Sequence, residues 1–161
     1  MEVGACREAL ASLLSQEVSV LAELVGLLDR EHALLVANDV EALETAMEER
    51  QVSVGKLLSA EEERRSLCRA HGRGTDAVGV EQLMAWCDPR GTLKSLWAEC
   101  ANGAARCREL NDRNGALVLA RMKRVENLLT ALTGQKQDSP TYGPKGACAP
   151  VRCGRVLATE A

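Results

Sequence analysis

Apolar residues recur along this chain at the spacing of helix faces. Val3, Cys6, Leu10, Leu14, Val18, Leu21, Val25, Leu28 and Leu35 keep a helical interval, which predicts one amphipathic helix from Val3 to about Val36, roughly nine turns long. A second stripe, Leu13, Val20, Leu24, Leu27 and Leu34, lies beside the first. The apolar face is therefore wide enough to touch two neighbouring helices. Asn38 and Asp39 interrupt the pattern. Asp39 is placed to cap a following helix, and Glu41 and Glu44 suit the positive end of its dipole. That second helix is expected from Val40 to about Ala70, with Val40, Leu43, Met47, Val54, Leu57, Leu58, Leu67 and Cys68 near heptad spacing. The charge run Glu61-Glu62-Glu63-Arg64-Arg65 breaks its stripe and reads as a solvated helix end.

His71 to Gly79 has the glycine and polar content of a connection. It lacks the GxxxxGK[ST] pattern and preceding strand of a phosphate cradle. A short helix from Val80 to Cys87 would lay Leu83, Met84 and Trp86 over one end of the bundle. Asp88-Pro89 reads as an N-cap followed by proline at the first helical position, so a third long helix is predicted from Pro89 to about Thr133. Its stripe passes through Leu93, Trp97, Cys100, Ala104, Cys107 and Leu110, then resumes at Leu117, Val118, Met122, Val125, Leu128, Leu129 and Leu132.

Between the two halves of that stripe lies a polar patch, Asn111 to Gly115. Asn-Gly is a turn signal, so a helical hairpin is one reading. The stripe keeps phase from Leu110 to Leu117, one heptad apart, which favours a continuous helix. Gly115 then costs about 1 kcal/mol relative to Ala and suggests close packing or a hinge. Asn111 and Asn114 either fix helix register at the seam or face a partner. Beyond Gly134 the chain becomes linker-like, and Pro140, Pro144 and Pro150 forbid regular helix. The organisation expected is therefore all-α: an antiparallel bundle of three long helices plus one short helix over residues 1–134, with a flexible C-terminal tail over 135–161. Tyr142, the chain's one tyrosine, sits in that tail, where an exposed aromatic can act as a binding anchor.

Composition sharpens this picture. Aromatics are only 2% of the 161 residues and phenylalanine is absent, so the core must be built from Leu, Val, Ala and Met, which suits packed helices better than a sheet. Residues 1–88 carry 8 basic against 17 acidic side chains, a net −9, while residues 89–161 carry 12 against 6, a net +6. The basic charges are scattered around the helix and lack interleaved aromatics, which argues against nucleic acid as a partner. Seven cysteines form no CxxC pair. With no secretory leader and no run approaching the length of a membrane span, they are expected as small buried hydrophobes of a cytoplasmic protein without stable membrane insertion.

Catalytic chemistry is hard to find. His32 lies on the first helix's stripe as a packed or boundary residue. Cys68 and His71 have CxxH spacing and could join Cys148 and Cys153 around zinc, but half of those ligands would come from a proline-broken tail. No catalytic residue, metal or cofactor is assigned.

Two motifs carry a resemblance. Leu110-Asn111-Asp112-Arg113-Asn114-Gly115 followed by Tyr142-Gly143-Pro144-Lys145-Gly146 resembles the LNxRNG and YG-containing C-terminal half of FlgN-type flagellar export chaperones. The resemblance implies a cytoplasmic type III export chaperone that binds the C-terminal helical segments of the hook–filament junction proteins, FlgK and FlgL, and presents them to the flagellar export gate. On that reading Asn111, Arg113, Asn114, Gly115, Leu117, Val118, Met122, Val125, Leu128, Leu129, Leu132 and Tyr142 form the partner-binding set. The alternative is a helical structural or adaptor protein that self-associates through the third long helix.

Overall fold

The computed structural model describes residues 2–134. They form four helices and no strand: α1 (Val3–Ala37), α2 (Val40–Ala70), α3 (Ala77–Cys87) and α4 (Lys94–Thr133). The chain divides into two compact units, Met1–Met122 and Lys123–Ala161. The first holds the bundle, and the second is described from Lys123 to Gly134.

The turn between α1 and α2 is only two residues long, and both residues cap a helix. Asn38 adopts the left-handed conformation at φ 59°, a role that Asn tolerates better than most residues. Its backbone N–H and that of Asp39 donate to the Leu35 and Leu34 carbonyls at 3.2 and 3.1 Å. The Asp39 side chain then accepts from the Ala42 N–H at 3.1 Å, the cap expected from sequence. So short a turn makes α1 and α2 antiparallel neighbours. Cross-contacts accordingly move down α1 from Arg30 to Glu17 while they move up α2 from Glu49 to Arg64.

The start of α4 differs from the sequence expectation. Pro89 does not open it; the helix begins at Lys94. The Gly91 N–H donates to the Asp88 carbonyl at 2.9 Å, closing a turn, and Gly91 takes φ 71°, which a continuing helix cannot contain. Asp88 still works as an acceptor, but for later groups: Leu93 N–H at 2.7 Å and the Thr92 hydroxyl at 2.9 Å. These donors hold its carboxyl below the usual carboxylate range, the Leu93 N–H contributing most. The short helix begins earlier than expected, at Ala77, because Asp76 caps it through the Gly79 N–H at 2.9 Å.

The core lies where α3 closes the end of the bundle. Cys6, Leu10 and Leu14 of α1, Leu67 and Cys68 of α2, Val80, Leu83, Met84 and Cys87 of α3, and Leu93 and Cys100 are all buried in one cluster. The core contains small and aliphatic side chains, as the near absence of aromatics requires. Burial pushes the thiols of Cys87 and Cys100 up to about 11, so they remain protonated as small hydrophobes.

One expectation is corrected here. Within residues 61–65, Glu62, Glu63 and Arg65 are solvated as expected, but Arg64 is buried, its Nε donating to Glu17 Oε1 at 2.7 Å. The Arg64 guanidinium also lies 5.3 Å from the Trp97 ring centroid, a cation–π contact. By length and composition alone α1 would also be long and apolar enough to cross a membrane, with a window of mean hydropathy 1.4. Its apolar face is spent within the bundle, on Leu10, Leu14, Leu21, Leu24 and Leu28, and Glu17 and Glu31 are buried on the same helix.

Removing one partner of the Glu17–Arg64 pair leaves a buried charge uncompensated. Arg64→Ala should therefore lower stability by about 3–5 kcal/mol, while the double variant Glu17→Leu/Arg64→Leu should cost far less. Urea denaturation checks this; a single-variant loss under about 1 kcal/mol would mean that the pair behaves as a surface pair.

Candidate partner-binding surface

The helix that carries the predicted partner-binding residues is held to α1 by contacts repeated along its length. Cys100 and Cys107 thiols approach the Leu14 and Leu21 carbonyls at 3.5 and 3.6 Å. The Asn114 amide donates to the Leu28 carbonyl at 2.8 Å, and Arg121 Nη2 donates to the Val36 carbonyl at 3.3 Å. These donors are spaced by seven residues on α4, and their acceptors ascend α1 in step, so the two helices run parallel. Between the first two contacts Gly103 lets the backbones close up, since a Cβ there would stand 3.0 Å from Leu21 Cβ.

Asn114 is the buried polar residue of this ladder. With its amide nitrogen committed to Leu28, its Oδ1 faces His32 Nδ1 at 3.0 Å, which requires the Nδ1–H tautomer of the ring. His32 is thus a half-buried packed residue. Asn111 is exposed and accepts from Arg50 Nη1 at 3.3 Å. Arg113 pairs with Asp29 at 2.9 Å. Arg50 also stands 3.0 Å from buried Glu31 Oε1, close enough for ion pairing although that oxygen has no aligned hydrogen-bond donor. Desolvation raises the Glu31 carboxyl pKa, with Arg50 opposing it.

The two halves of the predicted binding set therefore sit in different environments. Asn111, Arg113 and Asn114 each make a polar contact with α1 or α2, while the buried Arg113 Nε has no partner, and α4 continues through them without a hairpin. Gly115 is exposed, and nothing lies within 4 Å of a Cβ built on it. Leu117 is half-buried, whereas Val118 and Met122 are exposed. In the second unit, Val125, Leu128, Leu129 and Leu132 are exposed at 55, 56, 46 and 83%. Their i, i+3, i+4, i+7 spacing places them on one helix face. Leu119, 68% exposed, was not in the predicted set; it lies off the main periodic stripe, so periodicity alone gave it no weight. Tyr142 lies outside the described residues.

The chemistry available is that of packing and charge. Among the described residues no group of three His, Cys, Asp or Glu side chains could hold a metal ion. His71, half of the CxxH spacing, is engaged instead with the Leu67 carbonyl at 2.9 Å and the Trp86 ring at 5.2 Å between centroids.

Residues 1–149 match the family described as FlgN protein. No curated protein sequence and no solved structure matches the chain.

The environments of the two asparagines predict different costs. Asn114→Ala should destabilise the fold by about 1–3 kcal/mol, because a buried polar contact is lost and His32 loses its partner. Asn111→Ala should stay within about 0.5 kcal/mol. Thermal or urea unfolding of the two variants side by side checks the assignment; equal costs would contradict it.

Proposed function

This chain belongs to the FlgN protein family, and from that premise we propose that it is a cytoplasmic flagellar export chaperone. Its cargo is the C-terminal helical segments of hook–filament junction proteins of the FlgK and FlgL type, which it delivers to the flagellar export gate. The family is one of chaperones rather than enzymes, so binding must come from complementary surface.

The observation that carries the reading is the exposed face Val125, Leu128, Leu129 and Leu132. Four large apolar side chains in water at consecutive helical positions are costly to leave uncovered, and a helix laid in parallel or antiparallel register covers such a face best. Leu117, Val118 and Met122 continue the stripe in sequence. About six partly buried anchors at roughly 1.5 kcal/mol each contribute about 9 kcal/mol, and ordering the cargo segment takes back about 2–5 kcal/mol. The stripe alone supports weak binding, and submicromolar affinity needs further contact area.

Calorimetric titration with the C-terminal segment of a FlgK-type protein from the same genome tests the reading. Val125→Asp and Leu128→Asp should each abolish the heat of binding while leaving the melting midpoint nearly unchanged, since both side chains are more than half exposed. A large fall in melting temperature would instead place them in a core. No binding by the unaltered chain, together with concentration-dependent sedimentation, would favour the self-associating adaptor. Tyr142→Ala should retain cargo binding and impair delivery to the export gate in a secretion assay; equal loss of both would contradict this division of roles.

A further inference from the structure

The seam between α2 and α4 is bridged by two arginines and lies open beyond the second. Arg64 meets Trp97, and Arg50 meets Asn111. Fourteen residues down α2 thus correspond to fourteen residues up α4, so the helices are antiparallel in a fixed register. Continuing that register brings Val40, Leu43 and Met47 of α2 alongside Gly115, Val118 and Met122 of α4. Every one of these is apolar or glycine, as a seam requires. Yet Val40 is 61%, Met47 47%, Val118 40% and Met122 55% exposed.

Gly115 adds room at this opening, since it carries no side chain to fill it. A glycine inside a long helix weakens it, and the usual compensation is a close approach by a neighbour, such as Leu21 makes at Gly103. At Gly115 nothing stands within 4 Å of a Cβ. The α2 edge of the opening is acidic, while α4 carries Arg121, Lys123 and Arg124 near Met122. Glu41, Glu44 and Glu48 of α2 and Asp112 of α4 are exposed, and none is in an ion pair among the described residues. Of the cations that could neutralise this edge, Arg50 pairs with Glu31 and Arg113 with Asp29, and Arg121 donates to the Val36 carbonyl on α1.

We propose that the open α2–α4 seam, floored by Gly115 and walled by Val40, Met47, Val118 and Met122, seats an amphipathic cargo helix that carries Lys or Arg along one edge. This rests on the cargo reading above and extends it to a second surface, on α2. The cargo's apolar ridge enters the seam with its backbone close to Gly115, and its cationic edge lies against Glu41, Glu44 and Glu48.

Gly115→Leu separates binding from folding. It replaces glycine by a strong helix former in open space, so the melting midpoint of the full chain should rise, while affinity for the FlgK-type C-terminal peptide should fall at least tenfold. Gly55→Leu is the control: Gly55 is also mid-helix with nothing within 4 Å of a Cβ, and this variant should bind as the unaltered chain does. A peptide with its Lys and Arg replaced by Gln should bind more weakly and lose its salt dependence. Affinity of Gly115→Leu within twofold of the unaltered chain, with Val125→Asp still abolishing binding, would overturn the seam and leave the cargo reading standing. Absence of binding by the unaltered chain would overturn both. Self-association that Gly115→Leu abolishes, without any peptide binding, would assign the seam to a second copy and overturn the proposal.

Discussion

Parallel packing of α4 against α1 requires the two backbones to approach closely and stay in register over many turns. Apolar stripes cannot enforce this alone, because Leu-rich faces slide by a turn at small cost. Here register is set by donors at heptad intervals, Cys100, Cys107, Asn114 and Arg121, each reaching a carbonyl of α1. The two thiols are weak donors, whereas the Asn114 amide, buried and 2.8 Å from its acceptor, is the strong one. A shift by one turn would leave that amide unpaired in the interior, which makes Asn114 a register lock in the sense that polar residues serve in coiled coils. The positions of Gly115, Val118 and Met122 relative to α2 all follow from it.

On the other side of α1 the fastening is ionic. Arg64 pairs with Glu17 and lies over Trp97, while Arg50 bridges Glu31 and Asn111. Each arginine therefore touches both α1 and α4 from α2. A long side chain with an apolar stem can fill space that a core without phenylalanine leaves, which accounts for charged residues at seam positions of a small aliphatic bundle. Net stabilisation from such pairs over apolar residues is small; what they specify is which helices meet and where.

Most of the helical architecture was legible in the sequence because it depends on periodicity. The Val40–Ala70 helix and its Asp39 cap stand where the apolar spacing and the capping residue put them. The start of α4 was misplaced because Asp-Pro is a sound helix signal locally, yet the left-handed Gly91 two residues later overrides it. Arg64 was misread for a related reason: five consecutive charges look solvated in one dimension, and only the neighbouring Glu17 and Trp97, 47 and 33 residues away in sequence, make a buried site for the fourth of them. In the candidate site, the apolar positions from Val118 to Leu132 could be listed from spacing, whereas the engagement of Asn111, Arg113 and Asn114 with α1 and α2 could not, since a polar patch reads alike whether it faces a helix or a partner.

That division bears on how a chaperone whose exposed stripe is aliphatic can hold its cargo. Seven of the large apolar residues exposed among the described ones, Val118, Leu119, Met122, Val125, Leu128, Leu129 and Leu132, fall within 118–132, around and beyond Arg121, the last rung of the ladder to α1. Up to Arg121, α4 still spends side chains on the bundle; beyond it, the apolar stripe continues exposed. Aliphatic side chains each supply modest binding energy, so affinity must come from the length of the contact. A stripe that lies on a helix already formed through Thr133 presents such a length with little ordering cost on the chaperone side, and the cost falls mainly on the cargo segment. Structural rigidity at Asn114 and exposed apolar surface after it are thus two parts of one requirement.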